Sequence, residues 1–343
     1  MATPSIPTVS ILLPVRDAGA YLKSCLRSIE RQTFRDFEVV AVDDGSRDGS
    51  GEMLRSRARD DARFRVLPGP AKGLVAALNV GLEHCRGELV ARLDADDVMT
   101  PQRLELQAEM FRREATLGVV SCRVRSIPRA RIGEGFRLYD RWLNGLLTHD
   151  DILRERFVES PVAHPSVMAR RSTLEAVGGY REMGWAEDYD LWLRLLSSGA
   201  RFAKVDRVLH LWRDHPDRLT RIDGRYSVER FLACKAHHLV AGPLSGADQV
   251  LIWGAGQTGR RLAKALRELG VTPAAFVDVD AKKVGRQPGG VPVHGVEDLL
   301  RLVRQRSQTV VLVAVARRGA RDLIRPRLER RGLVEGRDYW CVA

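Results

Sequence analysis

Long apolar runs are absent from this chain. No uninterrupted apolar stretch approaches the roughly 20 residues that a membrane-spanning helix needs. The first seven residues, MATPSIP, contain no basic segment followed by an apolar one. These absences argue against a membrane-spanning protein and against a secretory leader, so we expect a cytoplasmic protein.

Cysteine is also scarce, and its spacing is uninformative for metal chemistry. The chain has five cysteines, an odd number, with no C-x-x-C pair among them. They are Cys25, Cys85, Cys122, Cys234 and Cys341. This pattern argues against a disulfide framework and against a zinc site, and it predicts reduced thiols that are mostly buried.

The overall composition is that of a folded protein with a basic surface. A chain of 343 residues is long enough for two domains with proper cores. Hydrophobic residues make up 44% and charged residues 29%, which excludes a disordered or fibrous protein. The formal net charge of +12 points to anionic partners, whether nucleotide-linked substrates, acidic lipid surfaces or nucleic acid.

One strand has an unusually acidic end. The apolar run LVARL at residues 89–93 predicts a buried strand, and Asp94, Asp96 and Asp97 follow it directly. Crowded carboxylates repel one another, and their hard oxygen atoms suit Mg²⁺ or Mn²⁺ that is also bound by a substrate phosphate. The alternative is a solvated acidic turn before a helix that opens at Thr100.

The N-terminal half alternates predicted strands and helices. An apolar strand at residues 9–14 precedes a helical pattern, and a second strand at residues 37–42 runs into Asp43 and Asp44. In open α/β sheets ligands bind at the carboxyl ends of strands, so both acidic turns should face one pocket. A carboxylate there can accept the imide N–H of uracil or a ribose hydroxyl. Alternatively, Asp43 and Asp44 form an Asx-turn that only satisfies the loop backbone.

Residues 120–165 are less regular, with scattered arginines and an aromatic patch at Phe136, Tyr139 and Trp142. An acceptor pocket beside a nucleotide site and a surface insertion both fit this composition.

Two further places carry candidate catalytic groups. Glu187 and Asp188 lie in the first turn of a predicted helix, where the helix dipole stabilises negative charge and where one carboxylate could also serve as a general base. His215 or Arg218 could reach a leaving diphosphate, although a lone histidine is more often structural.

A second domain is predicted after a linker. Residues 1–240 form the first domain, the Gly- and Pro-containing segment 241–247 is the linker, and residues 248–343 form the second domain. An apolar strand turns through Gly254, Gly256 and Gly259 in a G-x-G-x-x-G pattern, and the next strand ends in Asp278, 24 positions after Gly254. Because only one more clear strand follows, at residues 309–314, we expect a half-sized Rossmann-like module that packs or binds a mononucleotide or sugar nucleotide.

In combination these motifs resemble the family 2 glycosyltransferases with the GT-A fold, from about residue 9 to residue 220. The matching segments, in order, are SILLPVRD (10–17), QTFRDFE (32–38), VDDGSRDGS (42–50), LDADD (93–97), GGY (178–180) and EDYDLWLR (187–194). The resemblance implies an α/β fold whose mixed, mainly parallel sheet is flanked by helices. It also implies an inverting glycosyltransferase.

The resemblance also implies roles for the residues around the nucleotide. Pro14 and Val15 would line the base pocket, and Asp44 would hydrogen-bond the base while Asp43 supports the turn. Arg16 stands where the family commonly has an aromatic residue. The absence of a Q-x-x-R-W signature disfavours a processive polymer synthase.

The remaining site residues follow from the same resemblance. Asp94 would sit near the ribose, and Asp96 would bind the Mn²⁺ or Mg²⁺ on the donor diphosphate. His215 is a further donor-binding candidate because it could reach that diphosphate, independently of the resemblance. Asp188 would be the general base that deprotonates the acceptor hydroxyl.

The C-terminal module resembles the small nucleotide-sugar-binding domains of bacterial sugar acyltransferases. The likeness lies in the glycine turn at residues 254–256, in VDVD at 277–280 and in VPVHG at 291–295. It makes Gly254, Gly256, Gly259 and Asp278 candidates for a second nucleotide site.

The sequence therefore predicts transfer of a sugar from a nucleoside diphosphate donor, with a UDP-sugar favoured, to a hydroxyl of a glycan or lipid-linked acceptor. Cell-surface polysaccharide or glycoconjugate synthesis is the expected setting, with peripheral contact at the inner face of a membrane left open and no nucleic acid partner expected. One alternative is an NAD-dependent oxidoreductase that uses the C-terminal glycine motif. Another is a non-catalytic protein that binds a nucleotide sugar or a membrane surface.

Overall fold

A computed structural model describes residues 6–343 of the chain and, for Arg131, the backbone alone. Residues 1–5, on which part of the expectation about a leader rests, lie outside the described residues. The chain divides into two compact units. The first contains the residues up to Ile152, with Pro161–Met183 and Arg194–Arg218. The second contains Leu153–Ser160, Gly184–Leu193 and Leu219–Ala343.

The first unit is built on an eight-stranded sheet. Its strands in chain order are β1 (Val9–Val15), β2 (Phe37–Asp43), β3 (Phe64–Pro68), β4 (Leu89–Arg92), β5 (Val98–Met99), β6 (Leu117–Ile127), β7 (Met168–Arg170) and β8 (Arg201–Arg213). They lie in the order β3-β2-β1-β4-β7-β6-β8-β5. The run β3-β2-β1-β4 is parallel, β6 is parallel to β8, and β7 and β5 pair antiparallel with their neighbours. The predicted mixed, mainly parallel sheet is confirmed.

Helices flank this sheet, as predicted. Those up to residue 197 are α1 (Gly19–Glu30), α2 (Ser50–Asp60), α3 (Leu74–His84), α4 (Arg103–Arg113), α5 (Glu134–Gly145), α6 (His149–Glu155), α7 (Arg171–Ala176) and α8 (Glu187–Ser197). In α1, Leu22, Leu26 and Ile29 are buried in the core cluster of the sheet, because their three- and four-residue spacing places them on one helix face.

Residues 120–165 are more regular than the sequence predicts. Most of β6 and all of α5 lie in this region. Polar residues such as Ser121 interrupt the apolar pattern of β6, so the pattern does not predict the strand. The hydroxyl of Ser121 is nevertheless buried and lies 2.7 Å from the hydroxyl of Ser166. Tyr139 lies 5.7 Å from Trp142 and 6.3 Å from Trp212, measured between ring centroids, so the aromatic patch packs within the first unit.

The second unit contains a five-stranded, all-parallel sheet. Its strands are β9 (Gln249–Trp253), β10 (Ala275–Asp278), β11 (Val293–Gly295), β12 (Thr309–Val313) and β13 (Tyr339–Cys341), in the order β11-β10-β9-β12-β13. The remaining helices are α9 (Leu219–Ile222), α10 (Val228–Ala241), α11 (Gln257–Glu268), α12 (Leu299–Val303) and α13 (Ala320–Glu329). The first strand, β9, is central; the next two strands are added on one side of it and the last two on the other. This strand order is that of a Rossmann-like domain, which confirms this part of the fold prediction.

All five cysteines are buried and none forms a disulfide, as predicted. Among residues 6–343, no helix combines the length and the apolar character that crossing a bilayer requires. Helix α10 ends at Ala241 and strand β9 begins at Gln249, so residues 242–247 of the predicted linker 241–247 lie between these two elements. Their role as a linker between domains stays a prediction.

Candidate active site

The acidic turn after β4 gathers three carboxylates. All four residues of β4 are buried, and Asp94, Asp96 and Asp97 follow at its carboxyl end. One oxygen atom from each of the three lies within 4.8 Å of the others. Like charges this close are unfavourable unless some are protonated or paired, so the partners of each carboxylate decide what it can do.

Asp97 is the structural member of the group. It is 1% exposed; its Oδ2 lies 2.8 Å from His210 Nε2, and its Oδ1 accepts the backbone N–H of Arg213 at 2.7 Å. Burial raises the pKa of Asp97, and the charges of Asp96 and Asp94 raise it further. Asp97 therefore holds the turn from a buried position, which differs from the solvated turn that the alternative expects.

A buried arginine completes this network from helix α4. Arg103 is fully buried, donates to the carbonyl oxygens of Arg92 and Val167 and to Gln107 Oε1, and places its Nη1 3.3 Å from His210 Nδ1. Burial, reinforced by Arg103, lowers the pKa of His210, so the imidazole is neutral and donates from Nε2. Sequence reasoning missed both residues, because neither carries a motif and they are 107 positions apart.

Replacing Arg103 with methionine should destabilise the first unit by about 3 kcal/mol or more, because each buried acceptor left unpaired costs about 1–3 kcal/mol. The measurement is chemical denaturation. Arg112→Met on the same helix is the matched control, because Arg112 is exposed and solvent screens its pair with Glu109. Equal stability of the two variants would contradict the proposed network.

Asp94 and Asp96 are the more accessible members of the turn. Their side chains are 32% and 26% exposed. Asp94 Oδ1 accepts a hydrogen bond from Arg92 Nη2 at 2.6 Å, and Asp96 Oδ2 lies 2.8 Å from His215 Nε2. The His215 ring lies 4.8 Å from the Tyr21 ring, which holds it beside Asp96.

These side chains fit a divalent cation. Carboxylate oxygens of Asp94 and Asp96 and the imidazole nitrogen of His215 are donors that Mn²⁺ accepts, and the carboxylates suit Mg²⁺ equally. The Nδ1 of His215 is buried and has no hydrogen-bond partner among the described residues. Asp97 adds little to this donor set, since both of its oxygens already accept hydrogen bonds.

The second acidic turn follows β2, which neighbours β1. Asp43 Oδ1 accepts the N–H of Ser46 at 3.0 Å and so supports the turn. Asp44 is 2% exposed, and its Oδ2 accepts the N–H of Gly73 at 2.9 Å and lies 3.5 Å from Arg16 Nη1. Its Oδ1 is buried without a hydrogen-bond partner among the described residues. An acceptor in this state is suited to an N–H of a bound ligand.

Pro14 and Val15 end β1 between the two acidic turns. Both are buried, and the carbonyl oxygen of Val15 accepts the N–H of Asp44 at 2.8 Å. In register, Val15 is opposite Asp43, whereas on the other side of β1 Leu12 is opposite Arg92. The structure thus brings the predicted base-pocket residues and both acidic turns to the carboxyl edge of adjacent strands.

Glu187 and Asp188 lie in the second unit, at the start of α8. Asp188 is half-buried, and its Oδ1 accepts the N–H of Tyr189 at 2.7 Å. Burial, with a further contribution from the charge of Glu187, raises the pKa of Asp188 to about 8. The hydroxyl of Tyr226 donates a hydrogen bond to Glu187 Oε2 at 2.8 Å, and no sequence motif predicts this partner.

The second unit also contains a cavity of about 850 Å³ beside the glycine turn. Gly254, Gly256 and Asp278 line it, together with Lys283 and Arg317. A side chain at position 259 would meet the carbonyl oxygen of Gly254 at 1.8 Å, so the turn requires glycine there. Asp278 Oδ2 accepts the N–H of Ala255 at 2.8 Å and lies 3.0 Å from Lys283 Nζ. This carboxylate therefore holds its own loop.

Two protein families match the chain. Residues 10–178 match the sequence profile of Glycosyl transferase family 2, and residues 246–329 match that of the CoA binding domain. The first match covers β1 to α7 with both acidic turns of the first unit, and the second covers the glycine turn and the cavity.

Individual proteins of similar sequence or fold include named glycosyltransferases. The amylovoran biosynthesis glycosyltransferase AmsE of Erwinia amylovora is 31% identical over 203 residues, which are 59% of this chain and 74% of AmsE. Chondroitin synthase of Escherichia coli is 28% identical over 210 residues, 60% of this chain, but the chain spans only 29% of that enzyme's length. Residues 1–349 of S. aureus TarS, solved in complex with UDP-GlcNAc, share the fold, with a TM-score of 0.53 at 18% identity over 77% of this chain and 73% of that one.

Proposed function

Because the chain belongs to Glycosyl transferase family 2, we propose that it moves a sugar from a nucleoside diphosphate donor, with a UDP-sugar favoured, to a hydroxyl of a glycan or lipid-linked acceptor. The observation that carries the proposal is the pair of acidic turns at the carboxyl edge of the first sheet. One turn offers the unpartnered Oδ1 of Asp44, and the other offers Asp96 beside His215. The relationship to AmsE supports a role in polysaccharide synthesis, and contact with a membrane surface stays a prediction.

In this proposal the β1–β2 edge binds the nucleoside. Asp44 accepts the N–H of the base through Oδ1, which the protein leaves without a partner, while Gly73 and Arg16 hold its other oxygen. Pro14 and Val15 line the base pocket, and Asp43 keeps the turn in place through Ser46. Since a buried acceptor that stays unpaired is costly, a ligand that supplies the N–H is favoured over one that does not.

The β4 edge binds the diphosphate. Asp96 would hold Mn²⁺ or Mg²⁺, with His215 and Asp94 as further candidates, and such an ion neutralises the charge that grows on the departing diphosphate. Arg213 donates from Nε to the carbonyl oxygen of Asp96 at 2.7 Å and so fixes the turn for this task. Asp94 lies near the ribose in this arrangement.

Asp188 is proposed as the general base of an inverting, single-displacement reaction. It takes the proton from the acceptor hydroxyl as that oxygen forms a bond to the anomeric carbon and the bond to the diphosphate breaks. No covalent bond to the protein is needed. A pKa of about 8 lies near neutral pH, and a general base is most effective when its pKa is close to the pH of the reaction.

The test is a panel of uridine, guanosine, thymidine and cytidine diphosphate sugars, assayed for transfer and for donor hydrolysis with Mn²⁺, with Mg²⁺ and with chelator. We expect the highest turnover with a uridine diphosphate sugar and loss of turnover on chelation. Turnover that chelation leaves undiminished would overturn the metal role, and nicotinamide binding without any diphosphate binding would overturn the function.

For the second unit we propose a nucleotide-containing ligand in the cavity beside Gly254, Gly256, Gly259 and Asp278. The match to the CoA binding domain and the Rossmann-like strand order support this assignment. Lys283 and Arg317 would face the phosphates of such a ligand, whereas Asp278, held by Ala255 and Lys283, would shape the loop.

A further inference from the structure

The first turns of α8 and helix α10, both within the second unit, bring three metal-binding side chains together. The carboxylate of Asp190, the thiol of Cys234 and the imidazole of His238 each place one donor atom within 4.8 Å of the other two. The distance between Asp190 Oδ1 and His238 Nε2 is 2.9 Å. We propose that these three residues bind a zinc ion, at a site separate from the acidic turns of the first unit.

The local geometry suits this ion. Cys234 and His238 are four residues apart on α10, so both project from one face of that helix, while Asp190 comes from α8. Zinc bonds to sulfur at about 2.3 Å and to nitrogen or oxygen at about 2.0–2.2 Å in a tetrahedron, which places neighbouring donor atoms roughly 3–4 Å apart. The three donor atoms already lie within 4.8 Å of one another, and the 2.9 Å between Asp190 Oδ1 and His238 Nε2 would have to widen slightly to admit the ion.

The donor set selects zinc over the ions expected at the acidic turns. A thiolate and an imidazole favour Zn²⁺, whereas Mg²⁺ and Mn²⁺ prefer carboxylates, carbonyls and water. Cysteine pairs are absent from the sequence, so the site could not be expected from C-x-x-C spacing. The C-x-x-x-H pattern at residues 234–238 indicates a site only once Asp190 is placed beside it.

Burial explains why a cation would be stabilised there. Cys234 and Asp190 are 0% and 2% exposed, and His238 is 9% exposed. A buried carboxylate is costly unless it is compensated. Asp190 Oδ1 already accepts a hydrogen bond from Trp185 Nε1 at 3.4 Å, and a zinc ion would be a much stronger partner for the carboxylate. Binding requires the Cys234 thiol to release its proton to solvent, so zinc uptake should be accompanied by release of one proton.

The experiment uses the full chain without a polyhistidine tag, purified from zinc-supplemented cells and analysed for metal by mass spectrometry. We expect one zinc per chain, and its loss in Cys234→Ser and in His238→Gln. Matched controls are Cys341→Ser, another buried cysteine of the second unit, and His237→Gln, the adjacent residue on α10. Both controls should keep the metal.

Cobalt substitution makes the test independent of the variants. Co²⁺ added to the metal-free wild-type chain should give a thiolate-to-cobalt charge-transfer band, and Asp96→Asn should give the same band, since that change affects only the proposed glycosyl transfer. A wild-type chain that holds less than a tenth of an equivalent of zinc and gives no such band would overturn the proposal. The contact between Asp190 and His238 would then be a hydrogen bond without a metal ion.

Discussion

Asp96→Asn is expected to lower kcat/KM by about a hundredfold to a thousandfold, because a bound divalent ion contributes several kcal/mol of charge stabilisation and each 1.4 kcal/mol is about tenfold in rate. The replacement keeps the size of the side chain and removes its charge. The oxygen of asparagine can still accept from His215 Nε2, which lies 2.8 Å from Asp96 Oδ2 in the parent chain. The fold of the turn should therefore survive while the affinity for the ion falls.

Two readouts separate this expectation from general damage. Mn²⁺ binding in the presence of uridine diphosphate, followed by electron paramagnetic resonance, should weaken at least tenfold in the variant, and the melting temperature should stay close to that of the parent. Asp60→Asn, an exposed carboxylate at the end of α2, is the control and should change neither property. Unchanged Mn²⁺ affinity in Asp96→Asn would show that the ion is held elsewhere.

The acidic turns could be located from the sequence because their signal is local. The apolar run before Asp94 is a buried strand in the structure, and the turn at Asp43 and Asp44 follows the strand that the pattern predicts. The different fates of Asp96 and Asp97 could not be foreseen in the same way. Asp97 is buried because His210 and Arg213, more than 110 positions later, come back along β8 to meet it.

The sequence predicts fewer strands in the second sheet than the structure contains. Strands β11 and β13 have three residues each, which is too short to appear as an apolar run or as an alternating pattern. They are stabilised by parallel pairing with β10 and β12, and such pairing joins residues far apart in the chain.

Packing also decides where the start of α8 belongs. The sequence places Glu187, Asp188 and Asp190 in the first domain with the other family motifs. In the structure Glu187 contacts Tyr226, and Asp190 contacts His238, 39 and 48 positions later, and all four residues belong to the second unit. Tyr226 and His238 stand outside every motif recognised in the sequence.

Asp188→Asn is expected to reduce kcat by about 10²–10⁴-fold, the usual contribution of a general base, while donor binding stays within a few-fold of the parent. Asparagine keeps the shape of the side chain and can still accept the N–H of Tyr189 through its oxygen. Steady-state kinetics with saturating donor and a separate measurement of uridine diphosphate binding give the two values. A variant that retains more than a tenth of parental kcat would assign the base to another residue.

The pH dependence provides an independent check on the same residue. Because Asp188 must lose its proton before it can accept one, kcat/KM of the parent should rise with pH and level off above the pKa of about 8. The charge of Glu187 contributes to that raised pKa, so Glu187→Gln should move the rise to lower pH. The glutamine can still accept from Tyr226, and the variant should therefore stay folded.

Stability should change in the opposite sense to activity. A free aspartate has a pKa of about 3.9, so between about pH 4 and pH 8 the folded parent binds a proton at Asp188 that the unfolded chain has released. The contribution of this residue to stability therefore falls as pH rises through that window. Asp188→Asn carries no such group, and its melting temperature relative to the parent should increase from pH 5 to pH 9. If the variant instead became progressively less stable than the parent at high pH, Asp188 would already be ionised in the folded chain at low pH, which would contradict the raised pKa.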